Sequence, residues 1–226
     1  MIKYKHILFT FILLLVSIVF FAKSDLDIYV EDMFFNFETN KYILGAHAQP
    51  YKFIFYDGIK KLLIVFAVSL LLSLIFLRKT KLIKEYKKGI LIIVLSAIFV
   101  PTIVGELKKD TNMPCPKDEL RYGGLYPKTA VWECYDEEFK FKEQRIKCWP
   151  AGHASGGFAL MSLFFLFKKR RNQFIGLGVA LGVGWSMGLY KMLIGDHFLS
   201  HTVITMLLAW LIILIIAKSV ARFSKL

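Results

Sequence analysis

The sequence predicts an all-α fold, a polytopic membrane helical bundle with six transmembrane helices and both termini in the cytoplasm. Three observations support this fold class. Hydrophobic residues make up 56% of the 226-residue chain, and the mean hydropathy is +0.53, more apolar than an ordinary soluble domain. Six segments approach the length of about 20 apolar residues that a bilayer requires. The basic residues are concentrated in the connections on one side of these segments.

The six segments follow one another along a single domain that covers residues 1–226. The first, ILFTFILLLVSIVFFA, is long for a signal peptide, and the FFAKS stretch after it is a poor cleavage site. We therefore expect an uncleaved anchor. Pro101 lies inside the third segment, where neighbouring helices can satisfy the backbone group that a proline frees. The predicted spans are residues 7–22, 62–77, 89–105, 154–167, 173–190 and 202–217.

The charges predict the orientation of the spans. The two terminal segments and the connections 78–88 and 168–171 together contain 15 of the 30 basic residues but one acid, Glu85. The other connections are nearly neutral. The positive-inside rule places the basic set in the cytoplasm. Because membrane topology explains the net charge of +13, nucleic acid is not an expected partner.

All three cysteines lie in the long connection between the third and fourth spans. Two of them could form a disulfide if this side faces an oxidising periplasm. We expect the pair Cys134–Cys148, since both lie in one flexible stretch. Three free thiols remain the alternative.

Three clusters of polar residues follow or precede the predicted spans on the non-cytoplasmic side. They are KKDTNMPCP from Lys108, WPAGHASGG from Trp149 and YKMLIGDHFLSH from Tyr190. His153 opens a helix, where backbone N–H groups attract an anion, and Gly152 would let a phosphate approach the backbone closely. His197 and His201 are four residues apart and share a helix face. With the cations Lys108, Arg121 and Lys191, these groups suit phosphoryl transfer.

At these residues the sequence resembles the type-2 phosphatidic acid phosphatase superfamily of membrane lipid phosphatases. The family pattern is Lys-x6-Arg-Pro, then Pro-Ser-Gly-His, then Ser-Arg-x5-His-x3-Asp. Lys108 and Pro116 match the first motif, Pro150-Ala-Gly-His153 resembles the second, and His197 stands at the right distance from Lys191. The chain departs from the pattern at four positions that bear on the chemistry: Cys115, Ala151, Lys191 and His201.

The resemblance implies a role for each matching residue. His197 would attack phosphorus and form a phosphohistidine, His201 would orient His197, and His153 would protonate the leaving alcohol and later activate water. Lys108, Lys191 and the Gly152 amide would hold the phosphate oxygens. Arg121 would compensate for the arginine that Cys115 replaces. The resemblance implies no metal and no cofactor.

We therefore expect a lipid phosphate phosphatase of the bacterial cytoplasmic (inner) membrane, with its active site facing the periplasm. The candidate substrates are lipid A, undecaprenyl diphosphate and phosphatidylglycerol phosphate. Two alternatives share the scaffold: a lipid phosphotransferase with the same intermediate, and a non-catalytic lipid-binding or transport protein. A third alternative is a zinc site formed by His153, His197 and His201. The sequence does not indicate an oligomeric state.

Overall fold

The computed structural model of the protein describes residues 3–111, 113–133 and 147–223, and these residues form a helical bundle. A two-stranded antiparallel hairpin, β1 (Phe35–Asn36) and β2 (Lys41–Tyr42), lies between the second and third helices. Short 3-10 turns cover Pro116–Asp118 and Leu120–Tyr122. The helices are α1 (Tyr4–Lys23), α2 (Leu26–Asp32), α3 (Ile59–Phe76), α4 (Lys81–Asp110), α5 (Gly152–Ala159), α6 (Arg170–Leu193) and α7 (Leu199–Phe223).

Five helices in the described part of the chain are long and apolar enough to cross a membrane. They are α1, α4, α6, α7 and the segment Phe53–Phe76, in which a π-helical turn, Phe53–Gly58, leads into α3. Large apolar side chains are exposed on their outer faces, and α3 buries no residue at all. Such faces suit contact with lipid. The all-α fold and five of the predicted spans therefore have matching helices.

The predicted span 154–167 corresponds to a segment of the same length that begins two residues earlier and is only partly α-helical. It consists of α5 and a 3-10 continuation, Leu160–Phe165. Near one end of α4, Cδ of Lys108 would lie 3.8 Å from a Cβ atom added at Gly152. Near the other end of α4, a Cβ atom added at Gly89 would lie 2.7 Å from Cα of Leu166. The segment, with eight α-helical and six 3-10 residues, thus runs beside α4 over a depth of about 24 Å.

Close helix packing holds α5 in the middle of the bundle. Phe158 is completely buried and lies against Gly184 of α6, while a Cβ atom added at Gly157 would lie only 2.7 Å from Cα of Gly184. Burying a phenylalanine stabilises a fold by about 2–3 kcal/mol. This contact requires glycine on both helices, and it anchors the helix whose first turn contains His153.

Contacts between side chains show which connections share an end of the bundle. Lys168, which follows the 3-10 segment, forms a salt bridge of 2.6 Å with Glu85 near the start of α4. Lys218 of α7 lies over the ring of Tyr4 in α1. The basic connections 78–88 and 168–171, called the basic turns below, therefore lie at the same end of the bundle as the start of α1 and the end of α7. This end is opposite Lys108.

The predicted disulfide is wrong in one partner. Cys148 is bonded to Cys115, with their Cα atoms 5.2 Å apart, and the predicted partner Cys134 lies outside the described residues. Cys115 follows the end of α4 and Cys148 precedes α5. Because these helices pack side by side, they bring the two ends of the long connection together. Helix packing therefore selects Cys115 as the partner of Cys148, although Cys134 is closer in sequence. The alternative of three free thiols is wrong as well.

Candidate active site

The three predicted clusters meet at one end of the bundle. Lys108 is in the last turn of α4, His153 is in the first turn of α5, and Lys191 is in the last turn of α6. The ring centroids of His153 and His197 are 6.1 Å apart, and those of His197 and His201 are 5.4 Å apart. Residues from four separate helical ends thus lie close together.

His201 lies in the first turn of α7, but His197 lies two residues before the helix begins, so the expectation that both share one helix face is wrong. The two histidines nevertheless form a buried pair. Their Nδ1 atoms are 3.3 Å apart, and the two side chains are 1% and 0% exposed. The backbone N–H of Ser200 donates to Asp27 of α2 over 2.8 Å, so that carboxylate satisfies a free N–H in the first turn of α7. Thr205 accepts from the Ala151 N–H over 2.8 Å and donates to the His201 carbonyl over 2.7 Å. These bonds fix the histidine pair relative to α5.

His197 has a neutral imidazole with one ring nitrogen unpaired within the described residues. Burial lowers its pKa well below the ordinary value, and the neighbouring His201 and Lys108 lower it further. The imidazole is therefore neutral at pH 7. Its Nε2 atom is buried and has no hydrogen-bond partner among the described residues. When His197 donates its Nδ1 proton to His201, the lone pair on Nε2 is available for attack on phosphorus.

Two of the predicted phosphate-binding lysines lie beside the histidines. Lys108 is half-buried, and its Cδ atom would lie 3.8 Å from a Cβ atom added at Gly152. Lys191 is 8% exposed; its Nζ donates to Asp196 over 2.7 Å and lies 4.7 Å from the ring centroid of Tyr56. Two cations near a neutral imidazole make the space suitable for a phosphate group.

Arg121 does not join these residues. Its Nε and Nη2 atoms donate to the two carboxylate oxygens of Asp32 over 2.9 and 2.6 Å, and the guanidinium lies over Phe37. The 3-10 turn Leu120–Tyr122 faces α2 and the hairpin, so Arg121 ties the long connection to α2. Arg121 therefore points away from the histidines, and the expectation that it replaces the arginine missing at Cys115 is wrong.

Three residues near the site were missed by the sequence analysis. Tyr56, in the π-helical turn before α3, packs its ring edge-on to His153 with the centroids 4.9 Å apart. Asp196, directly before His197, is bonded to both Lys191 and Lys117. The sequence signal for Asp196 was its position inside the cluster from Tyr190, and that for Lys117 was its position directly after the cluster from Lys108. Tyr56 had no comparable signal, because its segment lies far from the motifs.

A cavity of about 400 Å³ opens beside His153 between α3, α4 and α5. Tyr56 and Lys60 line its polar end next to the histidine. The rest of the wall is mainly apolar and is formed by residues that include Leu63, Ala67, Ile93, Ala97 and Pro101. A cavity with a polar end at the histidines and an apolar end within the bundle fits an amphipathic molecule.

The ligand atoms of the three histidines do not form a compact group among the described residues. Within the described residues, the group of potential ligands whose atoms all lie within 4.8 Å of one another is Cys115, Asp118 and Cys148. Two of those three residues are joined in the disulfide, so their sulfur atoms are not free thiolates.

The fold fits a multi-pass membrane protein, and His153, His197 and His201 lie together at one end of its bundle. The sequence model of the PAP2 superfamily matches residues 88–225, from α4 to beyond α7. The chain belongs to this superfamily, and the match supports phosphatase-type activity on phosphate esters. No significant match was found among curated proteins or among solved structures.

Proposed function

We propose that the protein is a lipid phosphate phosphatase that works through a phosphohistidine at His197. The observation that carries the proposal is the burial of His197 between His153 and His201, with the apolar cavity opening beside His153. A phosphate at the histidines and a lipid chain in the cavity would account for both features. The candidate substrates are lipid A, undecaprenyl diphosphate and phosphatidylglycerol phosphate.

The first chemical step assigns a role to each histidine. Nε2 of His197 forms a bond to phosphorus as the bond from phosphorus to the lipid oxygen breaks, and His153 transfers to that oxygen a proton taken from the phosphate monoanion of the bound substrate. The substrate must supply this proton because burial, Lys191 and Lys108 lower the pKa of His153 to about 4 in the unliganded protein. His201 accepts the hydrogen bond from Nδ1 of His197 and fixes the ring orientation. Lys108, Lys191 and the Gly152 N–H stabilise the negative charge on the phosphoryl oxygens.

The second step releases the phosphate. His153 takes a proton from a water molecule, which attacks phosphorus while the bond from phosphorus to His197 breaks. The products are orthophosphate and the neutral imidazole of His197. Tyr56 packs against both His153 and Lys191, and this contact keeps the acid–base group near the phosphate-binding lysine.

We further propose that the bundle crosses the membrane six times, with both termini in the cytoplasm and the site at the periplasmic face of the inner membrane. The depth that α5 and its 3-10 continuation cover beside α4 supports the sixth crossing. The salt bridge between Lys168 and Glu85 supports a shared end for the basic turns, which the positive-inside rule assigns to the cytoplasm.

Purified protein should release orthophosphate from dioctanoyl phosphatidic acid, and His197→Ala should not. The matched control is His47→Ala, which removes a histidine from the exposed connection after the hairpin. If the protein binds the lipid but releases orthophosphate no faster than His197→Ala does, the non-catalytic alternative is favoured. Appearance of the phosphate on an added lipid alcohol would favour the phosphotransferase.

A further inference from the structure

Asp196 lies between two lysines at the edge of the histidine site. Its Oδ1 atom accepts from Nζ of Lys117 and its Oδ2 atom accepts from Nζ of Lys191, each over 2.7 Å. Burial alone would raise the pKa of Asp196, but the hydrogen bonds from Lys117 and Lys191 outweigh it and lower the pKa. The two lysines therefore already surround an anionic group.

Lys117 is held in this position by its backbone as well as by its side chain. The Lys117 N–H donates to the Gly195 carbonyl over 3.0 Å, so the 3-10 turn Pro116–Asp118 rests on the loop before His197. The disulfide between Cys115 and Cys148 ties the same turn to the segment before His153. Lys117 is thus fixed at the point where all three motif segments meet.

This arrangement offers a replacement for a missing cation. Cys115 stands where the motif pattern has an arginine, and its side chain is used in the disulfide. Arg121 is occupied by Asp32 on the far side of the connection. Lys117, two residues after Cys115, directs its ammonium group toward the residue that precedes His197.

We propose that Lys117 and Lys191 form a two-lysine anion site for the phosphoryl group of the substrate, and that Asp196 occupies this site in the unliganded protein. The proposal rests on the proposed function and adds Lys117 to its phosphate-binding residues. The side chain of Lys117 is 46% exposed, so its flexible stem can move from the carboxylate to an incoming phosphate. The side chain of Lys191, 10% exposed and packed on Tyr56, provides the fixed half of the site.

If the salt bridge between Lys117 and Asp196 were purely structural, it would join the two loops without affecting the binding of phosphate. The test therefore compares Lys117→Gln and Lys117→Arg with the control Lys128→Gln. Lys128 lies in the same connection, is 47% exposed and pairs with Asp25 over 2.9 Å, so it matches Lys117 in exposure and pairing. The readouts are KM and kcat for dioctanoyl phosphatidic acid and the inhibition constant of orthophosphate.

We expect Lys117→Gln to raise KM and the inhibition constant of orthophosphate about tenfold, the effect of losing one charged hydrogen bond, with a smaller change in kcat. Lys117→Arg should restore most of the affinity, and Lys128→Gln should resemble the wild type. An inhibition constant in Lys117→Gln equal to that of Lys128→Gln would overturn the proposal.

A second measurement separates this proposal from the proposed function. At an orthophosphate concentration near the wild-type inhibition constant, the thermal unfolding midpoint should rise for the wild type and Lys128→Gln, and much less for Lys117→Gln. If the wild type releases no phosphate yet shows this pattern, the phosphatase proposal fails and the anion site stands. If the wild type is active and orthophosphate stabilises all three proteins equally, the anion site at Lys117 fails.

Discussion

Nδ1 of His197 lies 3.3 Å from Nδ1 of His201, within a pair that is almost fully buried. The motif pattern has an aspartate at position 201, whose negative charge would stabilise a positively charged imidazole. A neutral histidine accepts the same hydrogen bond without that charge. His201 can therefore orient His197, but it gives less stabilisation to a charged intermediate.

The buried acid Glu31 on α2 should make stability depend on pH. Burial raises its pKa from 4.5 to about 9, and the nearby charge of Asp27 adds to the rise. Because the folded pKa lies above the unfolded value, the stabilisation is complete below pH 4.5 and is lost as pH rises toward 9. The change is at most about 1.4 kcal/mol per pH unit.

Glu31→Gln stays neutral throughout this range, so the variant should be more stable than the wild type at pH 8 but not at pH 4.5. The measurement is the thermal unfolding midpoint in detergent at both values. Glu38→Gln, at an exposed position after β1, is the control and should behave like the wild type. An equal loss of stability with pH in the wild type and Glu31→Gln would refute the assignment.

The disulfide should be needed for stability near the site. Cys115→Ser and Cys148→Ser should each lower the free energy of unfolding by about 3–4 kcal/mol, as expected for a closed loop of 33 residues. Peptide mapping without reductant should recover Cys115 joined to Cys148, and chemical unfolding should measure the loss. Cys134→Ser is the matched control and should have no comparable effect. A recovered peptide that joins Cys134 to either residue would contradict the pairing.

The cavity beside His153 should discriminate between lipid chains. Ala97→Phe on α4 should fill part of its apolar end and lower kcat/KM about tenfold for a long-chain lipid phosphate. A short soluble phosphate ester should be affected much less, because it leaves that end empty. Ile98→Phe changes the next residue, which is 52% exposed on the outer face, and should affect neither substrate. Equal losses of kcat/KM on both substrates would show that the lipid chain does not bind in this cavity.

Reporter fusions should establish the topology. Fusions after Lys88 and Arg171 should report the cytoplasm, since these residues end the basic stretches 78–88 and 168–171. Fusions after Asn40 and Cys134 should report the outside. A cytoplasmic signal after Cys134 would place the long connection, and with it the histidine site, on the wrong side of the membrane for a periplasmic phosphatase.

Hydropathy was sufficient to locate the membrane helices, because long apolar runs such as those of α1 and α7 depend on local sequence alone. The motif spacing likewise selected His153, His197 and His201, which the structure brings together. Hydropathy also marked the segment that contains α5, whose helix proved shorter and tightly packed against Gly184. Local periodicity does not reveal such packing.

The errors fall in the long connection between α4 and α5. The path of this segment is set by distant contacts: Arg121 turns toward Asp32, Lys117 toward Asp196, and Cys115 toward Cys148. Each partner lies at least 30 residues away in sequence, with separations of 89, 79 and 33. Charge and spacing identify which residues are available for such contacts but do not choose among the partners.

The most direct test of the account is the detection of acid-labile phosphate on the protein by rapid quench with a substrate that has a good leaving group, such as nitrophenyl phosphate. The wild type should form phosphohistidine at His197, and His197→Ala should form none. His153→Ala should form it and hydrolyse it slowly, because this leaving group needs little protonation but water still needs activation. His201→Ala should keep part of the activity, since His201 orients and does not react. Covalent phosphate in folded His197→Ala, or a complete loss in folded His201→Ala, would contradict the account.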